Sequence, residues 1–436
     1  VSLLVKGATL PDGSRTDLHI VDGRFAESGD ASATVIDADG LVVLPGLVDL
    51  HTHLREPGFE QSETVLTGSR AAAAGGYTAV FAMANTSPVQ DTAGVVEQVQ
   101  SLGERHGYVT VRPIGAVTVG LAGEKLAEIG AMAQSRAQVR VFSDDGHCVH
   151  DALLMRRALE YVSTFGGVVA QHAQEPRLTI GAQLNEGALS SELGLTGWPA
   201  VAEESIIARD VLLAQHVGAR LHICHVSTAG SVEVIRWAKA RGITVTAEVT
   251  PHHLLLTEEL ARGYDSRYKV NPPLRRDEDV HALREALADG TIDIVATDHA
   301  PHPAEAKECA WDEAANGMVG LESALSVVQA AVVETGLLNW ADVARVMSVT
   351  PAEIGLLSGY DTPFAVGSPA NLTLVDPAAT REFSTADLHG KSNNSPYLGR
   401  TLPGRIIATI HDGRPTVLEG ELLAPESVSE TGGDRG

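Results

Sequence analysis

Through the middle of the chain, short apolar runs rich in β-branched residues alternate with longer stretches whose apolar positions recur at helical spacing. This alternation predicts repeated βα units. Eight apolar runs can be counted, at residues 47–50, 77–82, 109–117, 138–142, 167–170, 220–224, 243–249 and 292–296, with helices predicted between them at 203–216, 231–241 and 277–288. Eight units over about 300 residues suit an α/β fold of the (β/α)8 TIM-barrel type, in which functional side chains gather where the C-terminal ends of the strands meet. A doubly wound open sheet is the alternative arrangement.

The two ends follow a different pattern. Residues 1–44 and 360–422 contain strand-like runs such as LLVKG, DLHIV, NLTLVD and RIIATI, punctuated by Asp-Gly pairs at Asp12, Asp22, Asp39 and Asp412. Asp-Gly is hairpin-turn chemistry. The expected organisation is a barrel over 45–359 and a small β-sandwich module built from both termini. Residues 423–436 are small and polar, and they are expected to form a mobile tail.

Bulk properties narrow the class of protein. The chain has 436 residues, 44% of them hydrophobic and 20% charged, which is ordinary for a globular protein. A formal net charge of −24 argues against nucleic acid or anionic membrane as a partner, since both require basic patches. Cys148, Cys224 and Cys309 lie far apart and form no CxxC pair, so no disulfide framework or thiolate zinc site is indicated. No apolar stretch approaches the ~20 residues that span a bilayer, and no basic-then-apolar segment opens the sequence. A cytoplasmic location is expected.

The candidate chemistry begins at DLHTHLREPG, residues 49–58, directly behind the apolar run LVVLPGLV. Strand alternation would place Asp49, His51 and His53 on one side and Val48, Leu50 and Thr52 on the other. A lone HxH could equally be a pair of hydrogen-bonded core histidines. Other predicted strands, however, also end in polar groups: His172 in VVAQHAQE, His225 in HICHVSTAG and Asp298 in IDIVATDHAPH. In a barrel these would converge on one point, and imidazole with carboxylate is a donor set suited to zinc or a similar divalent ion. VFSDDG adds Asp144 and Asp145, one of which must be no more than part of an acidic turn.

DLHTHLREPG, FAMANTSP (81–88), VRVFSDDG (139–146), AEVTPHHL (247–254), NPPLR (271–275) and ATDHAPH (296–302) resemble the motifs of dihydroorotase, in the class that lacks the bridging carboxylated lysine. The resemblance runs through essentially the whole chain, including VGSPANLTLVD near its end. It implies that His51, His53 and Asp298 hold one metal, that His172 and His225 hold a second, and that Asp145 touches both, with Asp144 as the fallback. Lys125 is the only lysine between His53 and His172 and lies in a predicted helix, so one or two zinc ions per chain both stay open. Arg55, Asn85, Asn271 and His302 resemble substrate contacts, joined by backbone groups near Asn316 and Gly317. His252 and His253 have no ligand counterpart and are expected to shape their loop.

The implied reaction is the reversible closure of N-carbamoyl-L-aspartate to L-dihydroorotate in pyrimidine biosynthesis. A metal-activated hydroxide would be the nucleophile and Asp298 the general base and acid. A hydantoinase, dihydropyrimidinase or allantoinase is the alternative enzyme, and a catalytically silent homologue kept as an assembly partner is the alternative from another class. The expected assembly is a homo-oligomer, with aspartate transcarbamoylase as a candidate partner. The polar segment 302–317 reads either as a lid or as an ordered loop.

Overall fold

The computed structural model describes residues 2–29 and 31–424. The expected mobile tail falls, beyond residue 424, outside the described residues. Each of the eight apolar runs contains a parallel strand: Leu47–Thr52, Tyr77–Ala82, Thr110–Pro113, Val141–Phe142, Val168–Gln171, Leu221–Ile223, Val245–Val249 and Ile294–Val295. The first three strands form one parallel sheet and the other five a second. Isolated parallel bridges link the two sheets at both margins. Gly115 pairs with Phe142, and Thr52 pairs with His299.

Helices return the chain between strands and the architecture is α/β. The predicted helices are present as Val201–Val217, Ala229–Ala240 and Asp277–Asp289. Several starts are set by side-chain caps: Thr64 accepts from the amide of Thr67, Asp151 from Leu154 and Thr228 from Ser231. Each cap satisfies a helix N–H that has no partner within the helix. Among the described residues, no helix is long and apolar enough to cross a membrane.

Strands buried on both faces explain why the runs read as continuous apolar stretches. Val48, Leu50, Phe81, Val141, Ala170 and Ile294 belong to one buried cluster, while Leu47, Val80, Phe142, Val169, Leu221 and Val295 pack in a larger one with the helices. The first strand departs from simple alternation. Its register against the second strand shifts between Asp49 and Thr52.

Both ends of the chain meet in one nine-stranded sheet. Val42–Pro45 pairs antiparallel with Leu372–Glu382, which joins the N-terminal strands to the C-terminal ones. The Asp-Gly pairs at Asp22 and Asp412 do make tight hairpins, with both residues of each pair at positive φ (47° and 81°; 48° and 74°). That is the backbone a type I′ turn requires. Asp12-Gly13 closes the hairpin between Ser2–Thr9 and Arg15–Val21. Asp39-Gly40 departs from the hairpin expectation, because the strands on either side of it both run parallel to Ser2–Thr9.

The terminal sheet is tied to the first βα unit at Gly76. Thr373 donates its hydroxyl to the Gly76 carbonyl at 2.5 Å, and Thr409 donates to that of Ala73 at 2.8 Å. Gly76 has φ +86°, and a Cβ there would lie 2.7 Å from Thr373 Cγ2. Gly76→Ala is therefore expected to cost about 2 kcal/mol of stability through backbone strain and overlap. An unchanged urea midpoint would show that this junction is looser than its geometry implies.

Candidate metal centre and substrate cavity

The polar residues that end the strands come together in space. His51 is the penultimate residue of the first strand with His53 just beyond its end, and His172 directly follows the fifth strand. Asp145, His225 and Asp298 lie two or three residues past the fourth, sixth and eighth. Two of these positions need an uncommon backbone: His225 has φ 30° and Asp298 has φ 49°. Left-handed conformations are rare for residues other than glycine, and they cluster at functional sites.

Two buried donor groups share one residue. His51, His53, Asp145 and Asp298 form the first, and Asp145, His172 and His225 the second. Asp145 Oδ2 lies 3.2 Å from both His51 Nε2 and His53 Nε2, while its Oδ1 lies 3.1 Å from His172 Nδ1 and from His225 Nε2. Asp298 Oδ1 is 3.1 Å from His53 Nε2 and 3.4 Å from His51 Nε2. Asp144 is not part of either group. Its carboxylate accepts from the amides of Val117 and Thr118 at 2.8 and 2.9 Å and from the Thr118 hydroxyl.

Asp49 does not join the histidines either. It accepts from the Thr297 amide at 3.1 Å and hydroxyl at 2.5 Å, which fastens the first strand to the end of the eighth. Burial pushes its carboxyl up to about 6. Asp49 also accepts from the His51 amide at 3.1 Å, and the register of the first strand against the second shifts between Asp49 and Thr52.

The outward-facing ring nitrogens are held by acceptors. His51 Nδ1 meets Glu248 Oε1 at 2.5 Å, His53 Nδ1 meets Asn85 Oδ1 at 2.8 Å, and His172 Nε2 meets Gln174 Oε1 at 2.7 Å. Each acceptor places the imidazole proton on the outer nitrogen and leaves a lone pair directed at the carboxylates, as a metal ligand requires. Glu248 also engages His222 Nε2 at 2.9 Å and the His225 amide at 3.1 Å. Sequence reasoning quoted the motifs containing Glu248 and Gln174 but gave neither residue a role. An acid inside an apolar strand was the available signal for Glu248.

Imidazoles offset the buried carboxylates at this point. Burial alone would raise the Asp145 carboxyl, but the nearby His51 and the ring nitrogens of His172 and His225 hold it well below the ordinary carboxylate range. Glu248 is lowered in the same way: burial is outweighed by His51 and His222. His51 Nε2 is buried, 3.2 Å from Asp145 Oδ2 and 3.4 Å from Asp298 Oδ1, and among the described residues has no hydrogen-bond partner. A buried nitrogen without a partner, facing carboxylates and further imidazoles, fits a divalent ion bound by nitrogen and oxygen donors.

Beside this centre lies a cavity of about 350 Å³ whose wall includes Arg55, Asn85, Asn271, His302, Asn316 and Gly317 as well as His53, Asp145, His172 and Asp298. Arg55 has φ 65°, and its Nε donates to the Pro301 carbonyl at 3.1 Å. A surface pairing with Glu56 or Glu60 is not what is seen, since those carboxylates accept from the amides of Val65 and Gly58. Burial pushes the Arg55 guanidinium down to about 10, so it stays charged at neutral pH.

Three more groups complete the wall. Burial, followed by the charge of Arg55, pushes His302 down to about 3, so its ring is neutral. Its Nε2 lies 2.8 Å from the Asn316 carbonyl and 3.4 Å from Arg55 Nη2. Donating to the nearer carbonyl uses the Nε2 proton and leaves Arg55 Nη2 available to a ligand. Asn271 donates to Gln174 at 3.1 Å, while its Oδ1 is buried without a partner. His253 bonds Thr250 at 2.7 Å and the Pro272 carbonyl at 3.2 Å. His252 stands outside both donor groups, pushed down to about 4 by burial.

Comparison with known proteins gives a consistent result. A family profile described as Dihydro-orotase-like matches residues 40–231. A protein of Leifsonia xyli subsp. xyli named dihydroorotase is 75% identical over 439 residues, covering 100% of this chain and 99% of its own. The dihydroorotases of Streptomyces coelicolor and Mycobacterium tuberculosis are 66% and 55% identical, covering 96% and 97% of this chain and 99% and 100% of theirs. Among solved structures, an L-hydantoinase (dihydropyrimidinase) from Arthrobacter aurescens matches with TM-score 0.85 and 26% identity over 97% of both chains. A D-hydantoinase matches with TM-score 0.83, also at 26% identity over 97% of both chains. With identities this high over whole chains, the protein belongs to the dihydroorotase family.

Proposed function

We infer that the protein is a metal-dependent hydrolase of a cyclic amide C–N bond that interconverts N-carbamoyl-L-aspartate and L-dihydroorotate. The observation that carries this reading is one carboxylate, Asp145, shared between two buried imidazole groups and opening onto a cavity that holds a charged arginine. The eight parallel strands and their two linking bridges support a (β/α)8 barrel over 45–359, and the nine-stranded sheet supports a β module built from 1–44 and 360–422, which we read as a β-sandwich.

His51, His53 and Asp298 would hold one ion and His172 and His225 a second, with Asp145 on both. Zinc suits this set of neutral imidazoles and carboxylates. When bound, the metal lowers the pKa of water and polarises the scissile carbonyl. The protein's own residues supply orientation and proton transfer. Arg55, with Nη2 uncommitted, can grip the substrate carboxylate through paired hydrogen bonds. Asn271 Oδ1, which has no protein partner, can accept from a ring N–H. Holding the ring by these contacts replaces a search in solution with a fixed approach. Asp298 would accept a proton from the attacking water and return it to the departing ring nitrogen. In the direction of ring closure the same carboxylate works in reverse order.

Arg55 also separates this reading from a hydantoinase one, since hydantoin carries no carboxylate for it to grip. Every expected ligand position is filled, which weighs against a catalytically silent homologue.

Asp298→Asn is expected to lower kcat by about a hundredfold or more with the fold and most of the metal retained, and near-normal turnover would remove Asp298 from its role. For Arg55→Ala, KM for dihydroorotate should rise by about a hundredfold. A side-by-side assay on hydantoin and allantoin checks the specificity, and preferential turnover of either by the unaltered protein would point to the alternative enzyme. Stripping metal with a chelator should abolish turnover and lower the melting temperature, because the buried carboxylates and imidazoles lose their common partner. Elemental analysis and zinc add-back provide the readout. Full activity in metal-free protein would end the metal assignment.

A further inference from the structure

His302, which forms a wall of the substrate cavity with Asn316 and Gly317, also borders a second cavity. This second cavity, of about 630 Å³, is lined in part by Lys307 and Asn394 as well. Close packing, which is how protein interiors are usually held, is therefore incomplete on the His302 side of this wall. Polar ties hold it there. Lys307 Nζ donates to three carbonyls, those of Ala315 at 2.8 Å, Gly317 at 3.0 Å and Lys269 at 3.2 Å.

Asn394 supplies the second tie from a distant part of the chain. Its Nδ2 donates to the carbonyls of Ala300 at 3.0 Å and Gly317 at 3.2 Å, and its Oδ1 accepts from the His302 amide at 3.1 Å. Gly317 itself has φ +139°, and a Cβ there would lie 2.8 Å from Ala300 Cβ and 2.9 Å from His302 Nε2. With the carbonyls on either side of Asn316 held by Lys307, the Asn316 carbonyl is left facing His302 Nε2.

The Lys307 arrangement is not one that stability alone would favour. Its ammonium is buried against neutral carbonyls, and burial, followed by the nearby charge of Lys269, pushes it down to about 7. Burying a cation without a carboxylate partner is costly. A buried apolar side chain would cost less, so the three directed hydrogen bonds are what the position provides.

We propose that Lys307 and Asn394 are positioning residues that clamp the His302–Asn316–Gly317 wall in its substrate-binding shape. This proposal rests on the reading of that wall as a substrate contact. It also makes the 302–317 segment a pinned strap whose substrate-facing part stays in place through the catalytic cycle.

The test uses the full-length, metal-loaded protein and the variants Lys307→Met, Asn394→Ala and His302→Ala, assayed on dihydroorotate with metal content measured in parallel. A clamp acting on substrate binding predicts that KM rises about tenfold in Lys307→Met and Asn394→Ala, with kcat within about threefold and metal content unchanged. Asn394→Ala removes no charge and carries the test alone if Lys307→Met fails to fold. Unchanged KM in the clamp variants, with KM raised in His302→Ala, would overturn the clamp and leave the wall assignment standing. Unchanged KM in all three would overturn the wall assignment and the clamp with it. A fall in kcat at constant KM would also overturn the proposal, since it would place the defect in the reaction step and not in binding.

Discussion

The structure depends on the neutralisation of one buried carboxylate. Asp145 sits between four imidazoles, two on each of its oxygens, with Asp298 close to the first pair. So many ionisable groups can share a dry site only if their charges balance, because an unpaired buried charge costs far more than a misplaced apolar side chain. Each group therefore has to arrive at its position accurately, and the six come from the ends of five strands, with His51 and His53 sharing the first. The fold serves this requirement: parallel strands deliver chain ends to a common rim while the helices between them cover their outer faces.

The partners of the imidazoles show how that accuracy is reached. Glu248 alone touches His51, His222 and the His225 amide, so one buried acid orients residues from the first and sixth strands together. Gln174 links His172 to Asn271, which couples the second donor group to the cavity wall. Asn85 holds His53 and lines the same cavity. The two donor groups and the cavity wall are thus joined by one hydrogen-bond network.

Much of this was legible in the sequence, because the strands are apolar on both faces and end abruptly in His or Asp. The eight runs, the residues that close them and the lining of the cavity could be named from that pattern and from the motifs. What could not be read depended on local geometry. Asp144 and Asp145 are adjacent and chemically identical, and only the direction of the turn assigns one to Thr118 and the other to the histidines. Asp49 shares the alternation of His51 and His53 on paper, yet its carboxylate is taken up by Thr297, a contact 248 residues away in sequence. Asp39-Gly40 has hairpin composition, yet its flanking strands run in the same direction, and pairing partners far away in sequence decide that.

The sheet that unites the two termini bears on how the polypeptide is made. Val42–Pro45 finds its antiparallel neighbour only at Leu372–Glu382, so a ribosome must synthesise the whole intervening segment before that edge can close. Until then the earliest strands carry unpaired backbone groups on an exposed margin, the condition under which chains stick to one another. Completion of this sheet is therefore a late event in biogenesis, and the catalytic half of the molecule is already synthesised when it occurs.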